Sequence, residues 1–261
     1  MTSPTSPRAG GVVFWRTVAF NTLFALQLVI MALGSLPIVL LFPRRHVLGV
    51  AKLWCRCNLA LLKGVVGLDV EIRGRENIPQ GGALIASKHQ SALETFAIVP
   101  FVPDPLFVLK RELTWIPFFG WFLMRLRMIA INRSAGGDAL SQMVKQAQAA
   151  AQDGRQIVIF PEGTRRPVGV EPAYKHGVTH LYVKLGLPVT PVAIDTGVFW
   201  PRGGLRRRQG VSVIEFLEPI PPGLPRAEFE RVLRERIESR SNALVAEAIG
   251  SAPAAPEPVP A

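Results

Sequence analysis

From Thr17 to Pro43 the chain runs for 27 residues without a charged side chain. As an α-helix at about 1.5 Å per residue such a run reaches roughly 40 Å, more than the roughly 30 Å of a bilayer's hydrocarbon core. Arg8 and Arg16 ahead of it resemble the start of a secretory signal. The run is longer than the usual apolar core of one, however, and no A-x-A site follows, so a retained segment is expected. Pro37 lies six residues before the end of the run, where a proline kinks a helix or begins a turn. A transbilayer span and a hairpin held in one leaflet both fit this pattern.

Charge sharpens the reading. Hydrophobic residues make up 49% of the 261-residue chain and charged residues 19%, which excludes a disordered protein. The net charge is +11. Residues 1–68 hold Arg8, Arg16, Arg44, Arg45, Lys52, Arg56 and Lys63 and no acid, so +7 of it lies there. At about 100° per residue Arg45, Lys52, Arg56 and Lys63 share one narrow helical stripe, with Leu48, Leu53, Trp54, Leu59, Leu61, Leu62 and Val66 opposite. A helix lying in a membrane interface against anionic phospholipids is the preferred reading of 45–66, with a surface helix of the main domain as the alternative. Were the apolar run to span, the five bases that follow it would put the rest of the chain in the cytoplasm. Two cysteines, Cys55 and Cys57, build neither a disulfide framework nor a zinc site. The charge would suit nucleic acid, but no nucleic-acid module is recognisable, and none is expected as a partner.

Beyond Leu68, short β-rich runs alternate with helical ones. Strands are expected near 68–73, 83–87, 106–109, 128–131, 156–160, 189–194 and 211–217, and helices near 91–100, 115–126, 138–152, 174–186 and 227–249. The fold class is therefore α/β, with a largely parallel or mixed sheet flanked by helices and an N-terminal membrane-associated helical segment. Three regions follow: anchoring helices over 1–66, an α/β domain over 67–250, and a Pro/Ala tail over 251–261 too poor in bulky side chains to pack.

Polar groups emerge at three strand ends. The strand GALIAS runs into Lys88-His89-Gln90-Ser91-Ala92-Leu93-Glu94. His89 and Glu94 are about 140° apart on a helix, so they meet only if His89 stays outside it and folds back. Ser91-x-x-Glu94 is equally a capping box. The second strand end carries Phe160-Pro161-Glu162-Gly163-Thr164-Arg165, whose amides, hydroxyl and guanidinium suit a phosphate. An ordinary turn with a Glu162–Arg165 ion pair is the alternative. The third is Arg133 after Ile129-Ala130-Ile131-Asn132. His176 and His180 stand four apart without a third ligand, so no metal is expected. The basic loop around Arg202 and Arg206–Arg208 suits phosphates or solvent.

With these residues the chain resembles the glycerophospholipid acyltransferase family, and within it the bacterial 1-acyl-glycerol-3-phosphate acyltransferases. H-x4-D matches at His89, with Glu94 in place of Asp. An apolar strand ending in Arg matches at Arg133, FPEGTR stands unaltered at 160–165, and Val189-Thr190-Pro191-Val192-Ala193-Ile194 matches the fourth motif. The resemblance covers roughly 70–220. It implies acyl transfer without a cofactor, from acyl-CoA or acyl carrier protein to the sn-2 hydroxyl of lysophosphatidic acid, at the cytoplasmic face of a bacterial inner membrane. His89 and Glu94 would be catalytic, and Arg133, Glu162, Gly163, Thr164 and Arg165 would bind substrate. Another lysolipid or glycerol 3-phosphate as acceptor is the alternative within enzymes. A non-catalytic module that binds anionic lipid is the alternative outside them.

Overall fold

Residues 8–132, 136–203 and 205–250 are described in a computed structural model of the chain. The strands are β1 (Ala9–Val12), β2 (Leu68–Arg73), β3 (Ala83–Ser87), β4 (Pro105–Lys110), β5 (Ile129–Ile131), β6 (Gln156–Ile159), β7 (Val189–Ile194) and β8 (Arg208–Phe216). They form one mixed sheet in the order β1-β8-β7-β3-β6-β4-β5, with β2 also on β8. The pairs β3–β6, β3–β7, β4–β6, β4–β5 and β2–β8 are parallel; β7–β8 and β1–β8 are antiparallel.

The sheet is covered on both faces, so its central strands are apolar throughout rather than alternating. Along β3, Ile85 points into one core, while Leu84 and Ala86 point into the other. Along β6, Val158 joins the first, and Ile157 and Ile159 the second. The first core is closed by α1 (Phe14–Gly34), α3 (Arg44–Leu61) and α4 (Leu93–Ala97), while α2 (Leu36–Leu41) puts Val39 in a small separate cluster with Val47 and Leu126, beside α5 (Phe119–Arg125). The second is closed by α6 (Gly136–Gln152), α7 (Gly177–Leu185) and the last helix; a short α8 (Thr196–Phe199) precedes that helix, α9 (Arg226–Ile249). Phe229, Leu233 and Ile237 of α9 are buried, as their spacing requires.

All seven expected strands form, and two of the expected helices are shortened at prolines. α4 is shorter than the expected 91–100 because Pro100 disfavours helical backbone at Val99. The expected 115–126 helix starts only at Phe119: Pro117 interrupts it, and Phe118 (φ 62°, ψ −56°) is the centre of a γ-turn in which the Phe119 amide donates to the Pro117 carbonyl at 2.7 Å. β1 is an addition, a Gly-Gly strand with no β pattern of its own.

The uncharged run breaks at Ser35, and Pro37 becomes the second residue of α2, where its missing N–H costs nothing. α1 is long and apolar enough to cross a membrane, with a mean hydropathy of 1.8 and only 17% of that window buried. Yet the chain enters α1 from β1 and leaves α3 for β2, and both strands pair with β8. The helices therefore leave and return to the same strand. Aromatic contacts join them to the sheet domain: Phe24 packs on Trp54 and Phe96, and Phe20 edges onto Trp200. Arg207 lies 3.7 Å from the Trp200 ring centroid and 4.6 Å from that of Phe20. Burial lowers its pKa to about 10, and the two rings supply the cation–π attraction that offsets part of that cost. Arg44 makes a bidentate pair with Asp104 at 2.6 Å. Sheet and core thus both cross the boundary expected at 66/67.

α3 departs from the interfacial expectation. Trp54, Leu59, Leu61, Leu62 and Val66 pack into the first core, leaving Leu53 exposed. Lys52 donates to the carbonyls of Val102 and Pro103, and Lys63 pairs with Asp69. The apolar side of this helix is spent on protein, as in the surface-helix alternative, while Arg45 and Arg56 keep their solvent exposure. The 251–261 tail lies outside the described residues.

At the C-terminal end of β7, Asp195 is fully buried, paired with Arg8 at 2.8 Å and bonded to Ser212 Oγ and the Val213 amide. Burial outweighs those partners and raises its pKa to about 6. The folded state thus holds the Asp195 proton more tightly than the unfolded chain, a contribution complete below about pH 4 and lost as pH rises through 6. Asp195→Asn should therefore gain thermal stability relative to the parent between pH 4 and pH 7. A difference in melting temperature that stays flat or falls over that window, measured in detergent, contradicts this assignment.

Candidate active site

Three adjacent parallel strands, β7, β3 and β6, end on one side of the sheet. After β3 the chain builds β4, β5 and β6 to one side before returning to β7 on the other, so β3 marks a change of winding direction. A crevice at the carboxyl ends of strands follows from that connectivity. His89 sits there, two residues past β3.

His89 Nδ1 lies 2.8 Å from Glu94 Oε1. The same oxygen accepts the amides of Gln90 (2.9 Å) and Ser91 (2.8 Å), and Oε2 accepts the Thr196 hydroxyl at 2.7 Å. Glu94 is fully buried, so these four donors satisfy a carboxylate that water does not reach. The Ser91 amide bond is the reach-back half of the expected capping box; Ser91 Oγ accepts the amide of Leu93 at 3.2 Å rather than that of Glu94, and α4 begins one residue later, after Ala92. Cap and His–Glu pair are one arrangement, not alternatives. A carboxylate can only accept, so Nδ1 carries the ring proton and Nε2 is the basic nitrogen. The ring stacks on Phe160 at 4.1 Å and lines a cavity of about 1160 Å³.

The loop after β6 supports His89 from beneath. Glu162, expected to bind substrate, turns inward: it is fully buried, and Oε1 accepts the His89 amide at 3.1 Å. Burial raises its pKa, against the opposing pull of Lys88. Lys88 is buried too, bonded to both oxygens of Glu238 on α9 (2.8 and 2.6 Å), with the Tyr174 hydroxyl donating to Glu238 at 3.0 Å. The His89 carbonyl accepts the Arg166 amide at 2.8 Å. Both backbone polar groups of His89 are therefore held by the loop after β6. Gly163 takes φ 64°, a left-handed turn in which a Cβ would be strained.

Thr164 and Arg165 reach the same cavity, joined by Lys110, Lys175 and Arg202. Arg202 Nη1 donates to the Arg165 carbonyl at 3.2 Å. The Glu162–Arg165 ion pair of the alternative reading is not among the ion pairs of the described residues. Arg133 lies outside the described residues. Much of the remaining lining is apolar, including Phe24, Leu28 and Met31 of α1 and Phe119 and Phe122 of α5. Among the described residues no cluster of three metal-ligating side chains occurs.

Sequence reading missed Thr196, Lys88, Tyr174, Lys175 and Glu238. Thr196 stands 102 positions from Glu94 and Glu238 stands 150 from Lys88, and no local pattern announces either contact. Thr196→Val should lower stability by about 1–3 kcal/mol, because it removes a donor from a buried carboxylate. Thr196→Ser should restore most of it. Equal unfolding midpoints for the valine variant and the parent would remove Thr196 from this arrangement.

A family profile described as acyltransferase matches residues 69–195, which include His89, Glu94 and the 160–165 loop. The chain is 42% identical over 196 residues to the 1-acyl-sn-glycerol-3-phosphate acyltransferase of Pseudomonas aeruginosa, covering 75% of this chain and 76% of that protein. It is 30% identical over 169 residues to human 1-acyl-sn-glycerol-3-phosphate acyltransferase alpha, covering 64% of this chain and 60% of the human one. The crystal structure of the 1-acyl-sn-glycerophosphate (LPA) acyltransferase PlsC from Thermotoga maritima matches with a TM-score of 0.70 at 26% identity, covering 86% of this chain and 94% of that one. Aligned over three quarters of its length with a relative of that identity, and sharing this fold, the chain is an enzyme of the acyltransferase family.

Proposed function

We propose that this enzyme transfers a fatty acyl group from a thioester, acyl-CoA or acyl carrier protein, to the sn-2 hydroxyl of lysophosphatidic acid, forming phosphatidic acid. The observation that carries the reading is the His89–Glu94 pair beside a cavity lined mostly by apolar side chains and also by Lys110, Arg165, Lys175 and Arg202. The names of the relatives agree with it.

A hydroxyl is a poor nucleophile at neutral pH. Nε2 of His89 takes its proton as the oxygen attacks the thioester carbonyl, and Glu94 stabilises the imidazolium that forms. Collapse of the tetrahedral intermediate breaks the carbon–sulfur bond, and the departing thiolate takes the proton back from Nε2. Histidine thus ends in its starting state, and no acyl-enzyme is needed. Thr164 and Arg165, with Arg133, hold the acceptor's phosphate and fix its hydroxyl near Nε2. Glu162 acts as a positioning residue beneath the histidine. The apolar cavity takes acyl chain. The helical hairpin α1–α3 holds the enzyme in one leaflet, since both of its ends rejoin β8, and the bases that follow the apolar run favour the cytoplasmic face of the inner membrane.

Purified enzyme assayed with lysophosphatidic acid, other lysolipids and glycerol 3-phosphate against both donors should turn over lysophosphatidic acid fastest. Preference for another acceptor overturns the substrate, and no transfer to any of them overturns the reaction. His89→Ala should lose on the order of 10²–10⁴ in turnover while remaining folded. Glu94→Gln can keep the fold: its carbonyl oxygen serves the three donors at Oε1, and its amide donates to a rotated Thr196 hydroxyl. A large loss of turnover at an unchanged melting temperature is expected, and full activity would reduce Glu94 to a helix cap. Arg165→Lys keeps charge but loses the planar fork, so acceptor KM should rise more than donor KM. A change confined to donor KM contradicts the phosphate role.

A further inference from the structure

Residues 113–124 (LTWIPFFGWFLM) carry no charge and contain five aromatic side chains. They form a 3₁₀ turn over Arg111–Trp115 followed by α5. The two are packed back to back: a Cβ on Gly120 would stand 2.0 Å from the Thr114 carbonyl oxygen, so only glycine permits the approach. This compact element has two apolar sides. Leu113, Ile116, Phe119, Phe122 and Leu123 line the cavity. On the outside Trp115 is 66% exposed, Met124 56% and Trp121 41%.

Large apolar side chains concentrated outside a folded domain mark a surface that meets something apolar. Here the flanks identify it. Lys110 and Arg111 precede the element, and Arg125 and Arg127 follow it, all exposed, with Glu112 as the one acid. Two tryptophans between cationic ends are the composition of a lipid headgroup boundary, where indole and guanidinium sit at the level of phosphate. The surface is also continuous with the hairpin. Arg125 Nη2 donates to the Phe42 carbonyl at 2.6 Å, which places α5 beside the exposed Leu40, Leu41 and Phe42.

We infer that the Leu113–Met124 element is a second membrane-inserted surface, in contact with the same anionic leaflet as the α1–α3 hairpin. Its outer side chains lie among lipid, and its inner ones wall the active-site cavity. The element is thus a partition between bilayer and cavity. The inference builds on the membrane association proposed for the hairpin, and its test separates the two.

Full-length enzyme is spin-labelled at Trp115→Cys, at Met124→Cys and, on the exposed side of α7, at Val183→Cys, each with Cys57→Ser. Cys55 is buried, with its thiol pushed up to about 12, and stays unlabelled. Labels are read before and after addition of vesicles of phosphatidylethanolamine and phosphatidylglycerol. At 115 and 124, collisions with oxygen should rise several-fold relative to a water-soluble nickel chelate, with no change at 183. Two separate label sites keep the test available if one variant fails to fold. Vesicle-bound enzyme whose labels at 115 and 124 stay as water-accessible as that at 183 overturns this surface and leaves the hairpin anchor standing. Enzyme that does not bind vesicles overturns both. Labels at 115 and 124 already shielded before vesicles are added indicate a second copy of the chain on this face, which also overturns the proposal.

Discussion

A carboxylate removed from water needs donors for both of its oxygens, and isolating one in an apolar interior costs several kcal/mol. Glu94 is fully buried and finds four: the His89 ring, two amides immediately before its own helix, and the Thr196 hydroxyl. Three come from the chain leaving β3, and the fourth from the chain leaving β7. The carboxylate is therefore satisfied only when those strands lie side by side with their C-terminal ends together. That condition places the histidine, starts α4, and ties the last parallel strand to the first member of the pair. A helix cap and a base-orienting carboxylate ask for the same atom in the same place, so stability and chemistry are not in competition at this position.

The imidazole is held from the other side by β6. Phe160 stacks beneath the ring, and Glu162 accepts the histidine's amide. Glu162 is buried with one oxygen outside any hydrogen bond of the described residues, which makes it a costly acceptor. Lys88, 3.7 Å away, supplies the compensating charge, and Glu238 and Tyr174 in turn satisfy Lys88 and one another. A chain of buried polar groups thus runs from the histidine backbone to the C-terminal helix. Each member is tolerable only because the next is present, so α9 contributes to the geometry of a site it does not line.

Features set by nearby residues were legible in the sequence: strands with continuous apolar runs, the Phe229–Leu233–Ile237 face of α9, and the strand ends where polar groups appear. The His89–Glu94 contact was legible as a possibility, since five residues of separation allowed either a cap or a fold-back. What escaped was non-local. Thr196 lies just past the Val189–Ile194 strand, outside its motif, and β1 has two glycines and no alternation, so nothing local announces its pairing with β8 or the Arg8–Asp195 contact beside it. The cationic stripe of α3 misled for a related reason. Period and charge describe a helix with two faces, but they do not say whether the apolar face meets lipid or protein, and Trp54 and Leu62 meet protein. Helix ends shifted wherever proline removed a donor or constrained its predecessor, an effect local enough to read at Pro100 and Pro117 in hindsight of the fold.

The apolar helices and the chemistry share side chains rather than adjoining as separate modules. Phe24, Leu28 and Met31 of α1 form cavity wall, while Leu23, Leu26, Val29, Ile30 and Leu33 on the same helix are exposed. α1 is thus apolar on both sides for two different reasons, which is why its sequence shows no amphipathic period. A helix whose only task was to cross a membrane would not need to begin and end its hairpin on one strand, and a helix whose only task was to close a cavity would not expose five large aliphatic side chains. The combination joins the two surfaces in one helix: the side chains that wall the cavity and the apolar ones turned to the outside are set on the same backbone, so neither can be moved without moving the other.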